Sequence, residues 1–558
     1  MPVNFIKKIY SHKTQNISLA AFILSVFSFL SFVLGLLRDR LLTGNFGIGN
    51  ELDVYYAAFR IPDFIAMVLM TGAIGVAIIP IFTKNLVSDK NQAFKYLSNL
   101  LNLSLFFLII ICLFLFVFAP NLVSLIAPGF SADKKEITIL LTRIMLLSPI
   151  LMGISNIISA ILRVFQRFLI TALAPVVYNL GSIIGIIFFV PKMGISGLAF
   201  GIVLGAFLHL LIQMPAFFKI GFKIQNTFDF LDKDFLLTLK LTVPRAIGLA
   251  ASQINLVVVT IIGSTLIPGS VGIFNLANDL SLPIIGLVAV PFTVAVFPAL
   301  SLAFSKGDKK EMLLKFSSVF RQIVFLIVPI SAISFLLRAH LVRVAFGAGR
   351  FDWSATKLTA ACFGIFMFGL FAQGLIYLVS KAFYAIRNTR TPALVSILSV
   401  ATTVVFSYFF IWLLGFENIF SNFLLATLKI EGMQNLAVIG LPFAISLDAI
   451  LQLLILLFFF KKEIGDFHIK EIVSSLGKIL LATFITIFFT YFIRQILSKY
   501  MTLETFWEVF LQTGVAGGLG MLFYLLVAFI FKSSEVMALK NLVSSQLGFL
   551  NGKNGKTK

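Results

Sequence analysis

The sequence predicts an all-α polytopic membrane protein of about 14 transmembrane helices, arranged as two parallel six-helix repeats followed by two C-terminal helices. Three observations carry that expectation. The 558-residue chain is 59% hydrophobic and 12% charged, with a mean hydropathy of +1.04, far more apolar than soluble domains. Apolar windows of the roughly 20 residues that a helix needs to cross the hydrocarbon layer recur from Ile17 to Phe531. Landmarks of the first half also return in the second at a nearly fixed offset.

The apolar segments, numbered 1 to 14 in chain order, have cores at 17–36, 54–83, 97–119, 137–160, 170–190, 195–218, 241–266, 271–304, 319–337, 358–383, 393–414, 436–460, 479–496 and 509–531. Segment 1 is longer than the apolar region of a signal peptide and no small-residue cleavage site follows it, so it is expected to remain as the first helix. Segment 2 opens on a polar run and holds Pro62 and Gly72, which can bend or locally open a helix. Segments 3 to 6 are continuous apolar runs, too long and too unbroken for the alternating strands of a membrane barrel. Segment 7 carries Pro244, Arg245, Gln253 and Asn255. Segment 8 carries Asn275, Asn278 and Asp279 before Pro283. Segments 9 to 12 are again largely apolar, segment 12 carries Asp448, and segments 13 and 14 are Phe-rich.

The repeat is seen in VAIIPIF (Val76 to Phe82), which returns as VAVFPAL (Val294 to Leu300) at an offset of 218. LVSLIAPGF from Leu122 returns as LVRVAFGAG from Leu341 at 219, and Phe165 and Pro175 find partners in Phe383 and Pro392. A fourth match, GLAFGIVLGAFLHLL from Gly197 against GLPFAISLDAILQLL from Gly440, sits at 243, as if about 25 residues were inserted around Phe416 to Asn435. Six segments per repeat is an even number, so the halves share one orientation and are related by an axis along the membrane normal. The expected organisation is an N-terminal lobe at 1–220, a second lobe at 221–462, and a terminal helix pair with a basic tail at 463–558. Repeats of this kind place substrate between the halves and work by rocking one against the other.

A formal charge of +21 in a soluble protein would suggest nucleic acid. Here the cations fall mainly in alternate loops. With the N-terminus inside, roughly 29 Lys and Arg lie on the cytoplasmic side and about 13 outside, the bias that orients membrane proteins. Both termini are therefore expected in the cytoplasm, with Lys7, Lys8, Lys13, the run Lys306, Lys309, Lys310 and the pair Lys461, Lys462 facing inner-leaflet headgroups. Arg163, Arg167, Lys381, Arg387 and Arg390 mark inner ends of helices in the same way. Cys112 and Cys362 lie in apolar segments, and His12, His209, His340 and His468 have no ligand spacing. No phosphate-binding glycine loop or hydrolase constellation is present, so no cofactor, metal or nucleic acid is expected, and a coupling ion or the membrane potential is left open as the driving force.

Charges at membrane depth are costly and therefore functional candidates. The densest group joins GLLRDR at the end of segment 1, with Arg38 and Asp39, to ELDVYYAAFRIPD, where Asp53, Tyr56, Arg60 and Asp63 fall at i, i+3, i+7 and i+10 on one helical stripe. Arg245, Gln253, Asn278 and Asp279 are candidate cavity walls in the second half, and Pro62, Gly72 and Pro283 candidate hinges. Asp448 reads equally as an ion-coupling carboxylate and as a protonated packing residue.

Taken together, GLLRDRLLTGNFGIGNELDVYYAAFRIPDF (Gly35 to Phe64), APGF (Ala127 to Phe130), FQRF (Phe165 to Phe168), APVVYN (Ala174 to Asn179) and FGAGRFD (Phe346 to Asp352) resemble the signature segments of the MurJ/MviN lipid II flippases, within the multidrug, oligosaccharidyl-lipid and polysaccharide exporter superfamily. The resemblance runs through segments 1 to 12. It implies an inner-membrane flippase, not an enzyme, that carries undecaprenyl-pyrophosphate-linked peptidoglycan precursor to the outer leaflet by alternating access, with membrane lipids and peptidoglycan synthesis enzymes as its partners. It also implies that segments 13 and 14 shape a groove for the lipid tail. Arg38, Asp39, Asp53 and Arg60 match the family's charged positions. Three cations common in the family are absent: Phe32 and Ala66 stand at two of them, and Asn278 and Asp279 near the third. An exporter of another lipid-linked oligosaccharide or amphiphile, or a transport-inactive cell-wall scaffold, are the alternatives these departures leave open.

Overall fold

In a computed structural model the chain is helical, with no strand among the described residues, 17–71, 77–433, 436–501 and 505–537. Gly72, the N-terminal lysines and the basic tail lie outside these residues. The side chain of Arg245 is also outside the description, although its backbone is helical.

In chain order the principal helices are α1 (Ile17–Phe46), α2 (Asn50–Ile65, continued by π-helical turns at Ala66–Thr71), α3 (Ile79–Ser88), α4 (Lys90–Val117), α5 (Ala119–Ile126), α6 (Ala132–Met145), α7 (Leu147–Val164), α8 (Phe168–Ile184), α9 (Ser196–Leu211), α10 (Lys233–Ser264), α11 (Ser270–Leu287), α12 (Ala289–Ser305), α13 (Lys309–Leu336), α14 (Arg338–Phe346), α15 (Trp353–Ala385), α16 (Arg390–Leu413), α17 (Ile419–Leu428), α18 (Gly440–Ile464), α19 (Ile469–Leu497) and α20 (Phe506–Ile530). Among the described residues 11 spans are long and apolar enough to cross a membrane. The three remaining sequence segments, 1, 2 and 7, coincide with α1, with α2 and α3, and with α10, so the count of about 14 stands.

Helix starts in the loops are fixed by side-chain caps. Asp89, Asp232 and Asp308 accept from the backbone N–H groups of Asn91, Phe235 and Glu311 at the heads of α4, α10 and α13, and Thr505 with Glu508 forms a capping box on α20. These caps fall on the polar edges of apolar runs and satisfy N–H groups that have no partner within their helix.

By packing, the chain divides into two units. The first comprises residues up to Gly272 together with Ala345–Asp352, and the second comprises Ile273–Val344 and the residues from Trp353 onward. In the first unit α9 packs on α7 and α8. In the second α18 packs on α15 and α16, the same pairing of sixth with fourth and fifth segments, and the short helices α5 and α14 follow corresponding segments. α10, which the repeat register assigns to the second half, packs in the first unit. In the second unit α19 packs on α13 and α20, and α20 also reaches α13.

Glycines set a close helix–helix contact in the first unit. A Cβ at Gly185 would stand 2.3 Å from Gly201 Cα, and one at Gly181 would stand 2.5 Å from Gly205 Cα. The i, i+4 spacing of these residues lets two backbones approach as only small residues allow.

Prolines inside helices each free a carbonyl four residues earlier, and two of these carbonyls meet hydroxyls of neighbouring helices. Pro62 cannot donate to Ala58 O, which lies 3.3 Å from Thr142 Oγ1 of α6, a hydroxyl that also reaches Thr138 O at 2.7 Å. Pro329 likewise frees Phe325 O, which accepts from Tyr524 Oη of α20 at 2.9 Å. Apolar surroundings make such pairing obligatory. Pro283 lies within α11, and the interruption expected of it comes at Val288, between α11 and α12.

Candidate functional site

The charged residues singled out in segments 1 and 2 belong to the first unit, where the ends of α1, α2, α8 and α10 bring them near one another. Arg38, on the last turns of α1, donates through Nε to Asp39 Oδ1 at 2.8 Å and lies 2.7 Å from it through Nη2. Its Nη1 donates to Asn179 Oδ1 of α8 at 3.4 Å. Asn179 is oriented in turn by its own donors, which reach Ser31 O and Ser31 Oγ at 3.1 and 3.0 Å. Tyr178 lies within electrostatic reach of both Arg38 and Asp63. Arg60, buried on α2, donates through Nε to Thr260 Oγ1 of α10 at 2.9 Å, and its charge reaches Asp63. The group is therefore a cluster of two arginines and two carboxylates held by amide and hydroxyl partners.

Asp53 has a different setting. Its two carboxylate oxygens accept from the backbone N–H groups of Gly269 at 2.7 Å and Gly272 at 2.9 Å, at the head of α11. A carboxylate suits this place because the first N–H groups of a helix lack internal partners and carry partial positive charge. Gly269 has φ +93, and a Cβ there would stand 2.5 Å from Ile48. The stripe of Asp53, Tyr56, Arg60 and Asp63 is helical as expected, yet its first member caps a neighbouring helix while Arg60 and Asp63 face the cluster.

The FGAGRFD segment is explained by the end of α1. Thr43 Oγ1 donates to Phe346 O at 2.9 Å, Arg40 Nη2 to Gly347 O at 2.7 Å, and Arg350 N to Gly44 O at 3.0 Å. Gly349 has φ +47 with its Cα so close that a Cβ would lie 2.3 Å from Gly44 O, so no other residue fits that turn. Asp53 with Gly269 and Gly272, and Thr43 and Arg40 with 346–350, together fasten one end of the first unit.

Gln253 is buried on α10. Asn278 and Asp279 are half-buried on α11 in the second unit, where Ser281 Oγ donates to Asn278 O at 2.8 Å. Phe32 and Ala66, at positions where a cation is common in the resembled family, are half-buried. Asp448 of α18 accepts from the hydroxyls of Ser399 and Thr402 on α16. Among the described residues no group of three or more His, Cys, Asp and Glu could hold a metal. Sequence reasoning did not single out Tyr178, Asn179, Thr260, Gly269 or Gly272 as site residues. The adjacent polar pair Tyr178 and Asn179 inside an apolar run was the one available signal.

The family model for lipid II flippase MurJ matches residues 42–511. Among curated relatives, a probable lipid II flippase MurJ of Buchnera aphidicola subsp. Baizongia pistaciae is 28% identical over 408 residues, covering 71% of this chain and 78% of its own. The lipid II flippase MurJ of Burkholderia cenocepacia is 26% identical over 415 residues, covering 72% and 80%. Among solved structures, lipid II flippase MurJ in an inward closed conformation aligns with a TM-score of 0.71 and 25% identity over 91% of this chain and 98% of that one. An inward-facing MATE multidrug transporter of the MOP superfamily shares the fold, with a TM-score of 0.61 and 15% identity over 78% and 95%.

Proposed function

The chain belongs to the lipid II flippase MurJ family, and from that premise we propose that it carries undecaprenyl-pyrophosphate-linked peptidoglycan precursor from the inner to the outer leaflet of the bacterial cytoplasmic membrane by alternating access, with both termini cytoplasmic. The observation that carries the substrate reading is the held pair of Arg38 and Arg60. A pyrophosphate needs cations whose donors are fixed in direction, and arginine's planar fork provides them. Arg38 is presented by Asp39 and Asn179, so an arriving phosphate oxygen exchanges with a carboxylate oxygen already at the guanidinium. This avoids stranding a bare cation at membrane depth between substrates. The polar cluster serves the head group, and the apolar surfaces of α19 and α20 keep the prenyl tail in hydrocarbon. Peptidoglycan synthesis enzymes are the partners such a carrier would supply.

The test is complementation of cells depleted of their own lipid II flippase, with wild type, Arg38→Ala and Arg38→Lys compared at matched membrane expression. Wild type is expected to restore growth. Arg38→Ala should fail, and Arg38→Lys should rescue poorly, because one ammonium cannot replace a fork that contacts Asp39 and Asn179 together. Failure of a well-inserted wild type would overturn the substrate assignment. It would favour export of another lipid-linked oligosaccharide, the reading supported by Phe32, Ala66, Asn278 and Asp279 at or near positions where family cations are common.

A further inference from the structure

Outside the cluster, one cleft combines a cation with an apolar wall. It is a shallow, open depression on the second unit between the first turns of α19 and the end of α20, lined by Ser474, Gly477, Lys478, Leu481 and Phe531, with a volume of about 390 Å³. Its depth follows from the sequence. The apolar core of segment 13 begins at residue 479 and that of segment 14 ends at residue 531, so Lys478 and Phe531 both stand at the rim of the hydrocarbon layer. Among the described residues no carboxylate lies within ion-pair distance of Lys478, nor of Lys470 or Lys532. Lys470, Ser474 and Lys478 fall at i, i+4 and i+8 on one exposed stripe of α19. Toward the membrane interior that side of the helix continues through the exposed side chains of Leu481, Phe484 and Phe488.

A Cβ at Gly477 would meet nothing within 4 Å, so this mid-helix glycine answers to no packing constraint and its effect is to leave room. The Phe531 wall is fixed by the segment that follows it. Buried Glu535 accepts from Ser475 Oγ at 2.9 Å and from Ser534 Oγ at 3.0 Å, and stands 3.7 Å from Arg321 of α13. The end of α20 is thereby tied to the turn of α19 that carries Ser474.

We propose that this cleft binds an anionic glycerophospholipid, its phosphate held by Lys478 and Ser474 and one acyl chain laid along Leu481, Phe484 and Phe488. A cation at headgroup depth with an apolar track leading inward matches a charged head and a fatty chain on one molecule. The orientation proposed above places this lipid in the inner leaflet, while the binding itself does not depend on that orientation or on the transport reading.

The experiment is native mass spectrometry of the full chain in detergent, titrated with phosphatidylglycerol or with phosphatidylcholine of the same acyl composition. Wild type should bind phosphatidylglycerol about fivefold more tightly, the effect of one lysine near an anionic lipid. Lys478→Gln should reduce phosphatidylglycerol binding to the phosphatidylcholine level. Gly477→Leu should do the same by filling the cleft with the lysine retained. Lys499→Gln, at the far end of α19, should leave the preference intact. Equal binding of the two lipids by wild type, or an undiminished preference in Lys478→Gln, would overturn the proposal. Displacement of phosphatidylglycerol by equimolar undecaprenyl pyrophosphate would also overturn it, by making the site one for the carried substrate. Because binding is read at equilibrium without transport, failure here is separable from failure of the flippase reading.

Discussion

At the scale of single residues, charge pairs were easier to read than their partners. Arg38, Asp39, Asp53 and Arg60 stand out because ionised groups beside apolar runs are costly. Which group each one meets is set by residues up to 219 positions away, as with Asp53 Oδ1 and Gly272 N, and no local spacing encodes that. Asp53 shows the consequence, since its neighbours in sequence place it with Arg60 while its hydrogen bonds place it on α11. The cap makes a specific demand, because its N–H donors must be met by acceptors on both oxygens. Asparagine has one acceptor oxygen and would turn its amide donor toward the other N–H. Asp53→Asn is therefore expected to lower stability by about 1–2 kcal/mol, in the upper range for a lost helix cap. A depressed melting temperature of the purified chain in detergent would show this, and an unchanged melt would mean that the cap contributes nothing.

At the scale of elements, the apolar segments were legible because their cause is local: a stretch of about 20 apolar residues has no stable alternative in a bilayer. Breaks inside them were not. Segment 4 divides into α6 and α7, and segment 8 divides at Val288 rather than at Pro283. A proline costs its own helix one hydrogen bond, and whether the helix then breaks depends on what satisfies the freed carbonyl. At Pro62 and Pro329 the hydroxyls that meet the freed carbonyl, Thr142 and Tyr524, come from elsewhere in the fold. Glycines divide by the same criterion. Gly201 packs with the Gly185 backbone, whereas Gly477 faces open space. Gly201→Val is therefore expected to push α8 and α9 apart at a cost of about 1–3 kcal/mol, as overpacking does, while Gly477→Ala should be neutral or stabilising by up to about 1 kcal/mol. Thermal unfolding of the two variants side by side checks the contrast, and equal melting of both would mean that the close glycine contact is not a constraint.

At the scale of the whole molecule, the internal repeat pairs segment 6 with segment 12, and in the fold each packs on the two segments before it, because duplicated sequence carries duplicated packing surfaces. It could not anticipate that α10 and residues 345–352 would pack with the first unit, since a repeat reports ancestry and not which neighbour buries a given face. Orientation across the membrane is different again. It is written in the loops, where Lys306, Lys309 and Lys310 occupy an expected inner loop while Glu417 lies in an expected outer one. Both native cysteines are buried, so the wild-type chain supplies a low background for labelling of intact cells with a membrane-impermeant maleimide. With the termini cytoplasmic, Glu417→Cys should label from outside and Lys310→Cys only after permeabilisation. The reverse pattern would invert the whole molecule. The fastening of α1 and α2 to 269–272 and 346–350 would then face the cytoplasm, and the cleft at Lys478 would face the outer leaflet, so this one labelling experiment decides which face each site serves.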